Sequence, residues 1–224
     1  MIERLIIVAI GYLIGSLIQA GYWLGKINHI DIRQYGSGNA GTTNVMRTLG
    51  KKAGFATYFL DAFKPALSCI IVHFIFGRGC SYEMLLFLYS GLGVVLGHNF
   101  PFYMGFKGGK GIAATSGVVI TLSIFPQHCW IILIAGMVTF FLIMYTTKYV
   151  SLGSLIGIGM VFALFVTWAC LGLLPLTGLH LYEACIVLFI ITALGFIRHK
   201  GNIERLMNGT ERKIGQKKKE GSNV

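Results

Sequence analysis

The sequence predicts an all-α fold, a polytopic bundle of transmembrane helices, and three observations carry that expectation. Of its 224 residues 55% are apolar and only 12% are charged, against roughly a quarter charged in an average soluble domain. Seven apolar segments recur along the chain, each flanked by Gly, Pro or charged residues. Every Lys and Arg except Arg4, Lys64 and Arg78 falls in alternate connections between those segments or in the C-terminal tail.

The apolar segments run over residues 5–24, 53–76, 84–97, 112–125, 129–145, 152–174 and 181–197. A helix needs about 20 residues to cross the hydrocarbon core. The third and fourth segments fall short of that and are expected to be tilted, kinked or re-entrant; five full crossings with two partial ones is the competing count. In the first segment, Arg4 ahead of an apolar run and the small pair Ala20 and Gly21 also fit a cleavable signal peptide, although the run is longer than a usual signal core. In the second, Asp61 and Lys64 are three residues apart and can pair within one helix, and Pro65 is expected to bend it.

The polar stretches 25–52, 98–111, 146–151 and the tail from Arg198 lie on one side and hold the remaining cations. By the positive-inside rule they are cytoplasmic, which puts the N-terminus outside and the C-terminus inside. The chain therefore reads as one membrane-embedded domain, residues 1–224, with a basic tail from about 198. The run Lys217, Lys218 and Lys219 suits either anionic lipid headgroups or simple solvation. A net charge of +11 does not imply nucleic acid, because the cations are interleaved with apolar segments. The five cysteines show no C-x-x-C spacing, and His73, His128 and His180 lack companions at ligand spacing, so neither a disulfide framework nor a metal site is expected.

Three polar segments carry chemistry. Residues 31–47, DIRQYGSGNAGTTNVMR, combine Gly36, Gly38 and Gly41, which permit positive φ and close backbone approach, with Ser37, Asn39, Thr42, Thr43 and Asn44. Arg33 and Arg47 add bidentate donors for an anion. Residues 97–111, GHNFPFYMGFKGGKG, set Lys107 and Lys110 around Gly108, Gly109 and Gly111. A Walker A loop is excluded, since Met104 and Gly111 stand where it needs Gly and Ser or Thr. The apolar part of that stretch, residues 100–106, suits an interfacial anchor or an acyl-chain contact. From Arg198, RHKGNIERLMNGTERK places His199, Asn202 and Arg205 within about one helical turn of each other.

Together these three segments resemble the bacterial acylphosphate:glycerol-3-phosphate acyltransferase family, of the PlsY type, over most of the chain. Ala40, Thr42 and Pro65 depart from residues common in that family, without removing a group expected to touch substrate. The resemblance implies transfer of a fatty acyl group from acyl phosphate to the 1-hydroxyl of glycerol 3-phosphate, the first acylation of phospholipid synthesis, in the bacterial cytoplasmic (inner) membrane. It implies no cofactor and no obligate protein partner beyond membrane lipids and the two substrates. By motif position it assigns Ser37, Asn44 and Arg47 to the first motif, Gly108, Gly109 and Gly111 to the acyl-phosphate loop, and His199 and Asn202 to the third. Arg47, Lys107, Lys110 and Arg198 then supply charge for two anions, and glycine amides an oxyanion site. Ser37 is expected to orient substrate, and either His199 or a substrate phosphate oxygen to take the hydroxyl proton. A transporter of phosphorylated metabolites is the rival; its expected midplane site and internal repeat are missing from the sequence.

Overall fold

The computed structural model describes residues 1–124 and 129–216, and it is helical throughout, with no strand among those residues. His128 and the lysines 217–219 lie outside the described residues. Ten α-helices follow in order: α1 (Ile2–Leu17), α2 (Ala20–Ile27), α3 (Thr42–Leu49), α4 (Lys51–Val72), α5 (Glu83–Asn99), α6 (Ile112–Ile124), α7 (Trp130–Thr147), α8 (Val150–Cys170), α9 (Gly178–Arg198) and α10 (Lys200–Met207).

All seven apolar segments appear as helices, and six are long and apolar enough to cross a membrane. The third, expected to be partial, is among those six: with the short 3-10 turn after α5 it reaches from Glu83 to Met104, 22 residues. The fourth, α6, remains short at 13 residues. The first segment is two helices, broken at Ile18 and Gln19. Buried Gln19 donates to the carbonyls of Gly15, Gly97 and His98, so the break ties α1 to the end of α5. Pro65 sits inside α4, which runs on through it to Val72; neighbouring helices around a membrane helix can re-satisfy the freed backbone.

α5 is the axis of the bundle, with most of its residues buried, including Met84, Leu85, Leu86, Leu88 and Val94. Its closest partner is α1. A Cβ at Gly11 would land on the Ser90 carbonyl, and one at Gly93 on the Val8 carbonyl. Gly15 and Gly97 continue the seam one turn on, against Val94 and Tyr12. Two G-x-x-x-G pairs thus let the backbones touch, the close approach by which membrane helices gain packing energy without a hydrophobic driving force.

The three cations outside the basic stretches are each engaged. Arg4 pairs with Glu183, which also accepts from Tyr89. The Arg78 guanidinium lies 4.7 Å from the Phe74 ring centroid. Lys64 pairs with Asp61 inside α4, as expected, and both are buried.

Candidate functional site

The ends of the helices that carry the basic stretches meet around one cavity of about 420 Å³. The first stretch folds into a short 3-10 turn, Ile32–Gln34, a glycine loop, and α3. Gly36 and Gly38 adopt positive φ, 62° and 71°, as expected. Gly41 does not; at φ −85° it is the N-cap residue of α3, and its N–H is held by Asn39 Oδ1 at 2.8 Å. Asn44, nearly fully buried, spends its side chain on the loop, donating to the carbonyls of Ile32 and Tyr35 and accepting from the Ser37 N–H. Its amide therefore shapes the loop, leaving the Ser37 hydroxyl with no partner among the described residues.

Arg33 is not a lining residue. It grips Asp31, whose carboxyl its hydrogen bonds pull down to about 2, and it donates to the Met104 carbonyl at 3.2 Å. It thus braces the first loop against the second. Arg47 is exposed at the cavity, with no hydrogen-bond partner among the described residues. The protein around it, and Arg212 next, disfavour its charge, yet a guanidinium does not deprotonate. A partly desolvated, unpaired cation attracts an anion.

The second stretch folds back on α5. The N–H groups of Gly108 and Gly109 donate to the carbonyls of Asn99 and His98, at 3.1 and 3.0 Å. Their carbonyls accept from Arg198, at 3.0 to 3.1 Å, and Arg198 also lies 5.2 Å from the Phe100 ring centroid. Both glycines are buried, and a Cβ on either would strike His98. Gly108, Gly109 and Arg198 consequently form a packed strut behind the cavity wall, and the two amides are committed to α5 rather than free for an oxyanion. Lys107 is exposed and also outside the lining, as is Gly38. Of residues 100–106, Phe102 and Phe106 are exposed, while Tyr103 stacks on Trp23 at 6.0 Å, an arrangement suited to the interface.

What does line the cavity is the start of α6, from Lys110 and Gly111 to Ala113, together with the start of α3 at Thr42 and Thr43. Helix N-termini carry unpaired N–H groups and a partial positive charge, a ready anion site. Lys110 donates to the Asn202 side-chain oxygen, and burial brings its pKa to about 8.

The third stretch closes the cavity. His199, 3% exposed, directs Nδ1 at the Gly195 carbonyl, 2.7 Å away. A carbonyl only accepts, so Nδ1 carries the proton and Nε2 is left as an acceptor. Burial, with Lys110 next, holds His199 down at about 4, so the ring is neutral near pH 7. Sequence reasoning missed Glu211. After α10 the chain turns back, and Glu211 accepts from Ser151 at 2.8 Å and from Asn202 and Arg205 at 2.7 Å each. Those hydrogen bonds outweigh burial and hold its carboxyl below the usual range. Glu211 thereby fixes the amide of Asn202, whose oxygen faces Lys110. An acidic residue between Arg205 and Arg212 in a tail rich in cations was the only signal for it.

The wall thus carries Arg47, Lys110, Arg205 and Arg212 against Asp61 and Glu211. Lys64 answers Asp61, and Arg205 answers Glu211. Arg47, Lys110 and Arg212 remain as uncompensated positive charge.

Comparison with known proteins gives a consistent result. The family profile described as glycerol-3-phosphate acyltransferase matches residues 5–209. A glycerol-3-phosphate acyltransferase of Clostridioides difficile (strain 630) is 40% identical over 96% of this chain and 97% of its own, and one of Shouchella clausii (strain KSM-K16) is 41% identical over 94% and 95%. Among solved structures, PlsY, an integral membrane glycerol 3-phosphate acyltransferase, in its glycerol 3-phosphate form, superposes with a TM-score of 0.78 at 33% identity, covering 95% of this chain and 96% of that one.

Proposed function

Because the chain belongs to the glycerol-3-phosphate acyltransferase family, we propose that it moves a fatty acyl group from acyl phosphate to the 1-hydroxyl of glycerol 3-phosphate. The products are 1-acyl-glycerol 3-phosphate (lysophosphatidic acid) and inorganic phosphate, in the first acylation of phospholipid biosynthesis. One observation carries the reading: Arg47, Lys110 and Arg212 stand uncompensated on a single cavity faced by two helix N-termini. Two phosphate-bearing substrates repel each other, and such a wall holds them together at little reorganisation cost.

The glycerol hydroxyl oxygen attacks the acyl carbon, forming the ester bond. The bond from that carbon to the phosphate oxygen breaks, and its electron pair leaves with phosphate. The hydroxyl proton passes to a phosphate oxygen: a phosphate titrating at about 6 is a better acceptor near neutrality than an imidazole held at about 4. His199 Nε2 orients the glycerol by accepting from its 2-hydroxyl, which leaves the proton of the attacking 1-hydroxyl free to pass to phosphate. Transfer is direct, because Ser37 makes no hydrogen bond to His199 and none of the described residues activates it as a nucleophile; it orients substrate instead. Asn202 and Lys110 hold a phosphate oxygen, with the α6 N-terminus beside them.

The donor follows from the resemblance to the PlsY type. Acyl phosphate carries its anion on the leaving oxygen, so one small site holds both carbonyl and charge, whereas a coenzyme A thioester puts its phosphates far from the reacting carbon. The distribution of basic residues supports a cavity open to the cytoplasm in the bacterial cytoplasmic membrane, with the N-terminus outside and the C-terminus inside. Purified protein given glycerol 3-phosphate and acyl phosphate should release one phosphate per monoacyl product formed, and acyl-CoA should yield almost none. Equal rates from both donors would overturn the donor assignment; no product from either would overturn the activity.

A further inference from the structure

His98 belongs to none of the roles above, yet it stands at the cavity wall with 3% of its surface exposed. Lys64 Nζ lies 2.8 Å from its Nδ1 and 2.7 Å from Asp61 Oδ1. An ammonium only donates, so Nδ1 accepts and the ring proton sits on Nε2. The edge bearing Nε2 lies against Gly109, where a Cβ would collide with it. Nε2 has no acceptor among the described residues, and it is not one of the side-chain atoms sealed from access without a partner. A donor is thus aimed past the glycine loop at the cavity, beside the two amides that α5 has taken.

Resting on the acyl-transfer reading, we propose that His98 is a further substrate-binding residue. Its Nε2–H donates to an oxygen of the acyl phosphate group, and the buried Asp61 and Lys64 pair positions it by keeping the proton on Nε2. Glycine at 109 is required because any side chain there would occupy the path of that hydrogen bond.

The test measures steady-state kinetics and thermal unfolding of the purified protein. His98→Asn keeps an acceptor for Lys64 but places nothing at the ε position; it should lose about 10²-fold in kcat/KM for acyl phosphate, with the KM for glycerol 3-phosphate and the unfolding temperature little changed. His98→Gln sets an amide N–H near Nε2 and should recover most of the loss. The neutral pair Asp61→Asn with Lys64→Met should lower activity when His98 is present, and add little on top of His98→Gln, which has no tautomer to fix. Equal losses in both backgrounds would make the pair merely structural, and an unimpaired His98→Asn would remove His98 from the substrate; either overturns the proposal. A wild-type protein that releases no phosphate from acyl phosphate would instead overturn the acyl-transfer reading itself.

Discussion

Arg47→Ala is expected to lower kcat/KM for glycerol 3-phosphate acylation by about 10²- to 10³-fold, the loss typical when a charge-assisted contact to a developing or bound anion is removed from a water-poor site. The protein keeps this guanidinium without a partner among the described residues, beside Arg212. Removing it therefore strands no buried carboxylate and relieves a repulsion, so the unfolding temperature should hold or rise while activity collapses. Arg47→Lys restores the charge but not the bidentate fork and should recover only part of the rate. Truncation after Gln216, which deletes the tail lysines, should cost far less, because a run of lysines suits lipid headgroups or simple solvation rather than a single bound phosphate. Equal losses from the two changes would mean that the enzyme needs positive charge in general rather than a cation at this position.

The second large effect concerns His199. His199→Ala should lower kcat by about 10²-fold, the cost of letting a reacting group drift from its near-attack position. The pH profile separates orientation from base catalysis. With His199 held at about 4, the imidazole is neutral throughout the range above roughly pH 5 and its protonation does not limit the rate there. Loss of rate on acidification near pH 6 then belongs to the phosphate that accepts the proton. That acidic limb should persist in His199→Gln, whose side-chain oxygen still accepts from the 2-hydroxyl. Its disappearance in His199→Gln would make His199 the base.

Much of this was legible in the sequence because membrane burial and phosphate binding both leave local traces. Apolar runs gave all seven helices, and glycine, asparagine and arginine clusters at their ends located the loops. Ser37, Arg47, Lys110, Asn202 and His199 line one cavity. What was not legible depends on contacts between distant residues. His98 gains its role from Lys64 in another helix, and Glu211 from Ser151, 60 residues earlier. Residue type alone also cannot say whether a polar group faces the ligand or the scaffold. Arg198, Gly108 and Gly109 have the chemistry of an anion site, but their hydrogen bonds to one another and to α5 make them its supporting wall. The break at Gln19 escaped a hydropathy reading because one polar residue barely perturbs an apolar window, although its side chain binds three carbonyls.

We propose that three separated loops form one anion-binding cavity on the cytoplasmic side. Single cysteines at the exposed positions Gln34, Lys107 and Lys213, each in a chain freed of its own five cysteines, test it directly with a membrane-impermeant maleimide. All three should stay unlabelled in intact cells and label in inverted membrane vesicles. Labelling of any one of them in intact cells would place that loop outside, where it could not share a cytoplasmic cavity with the other two.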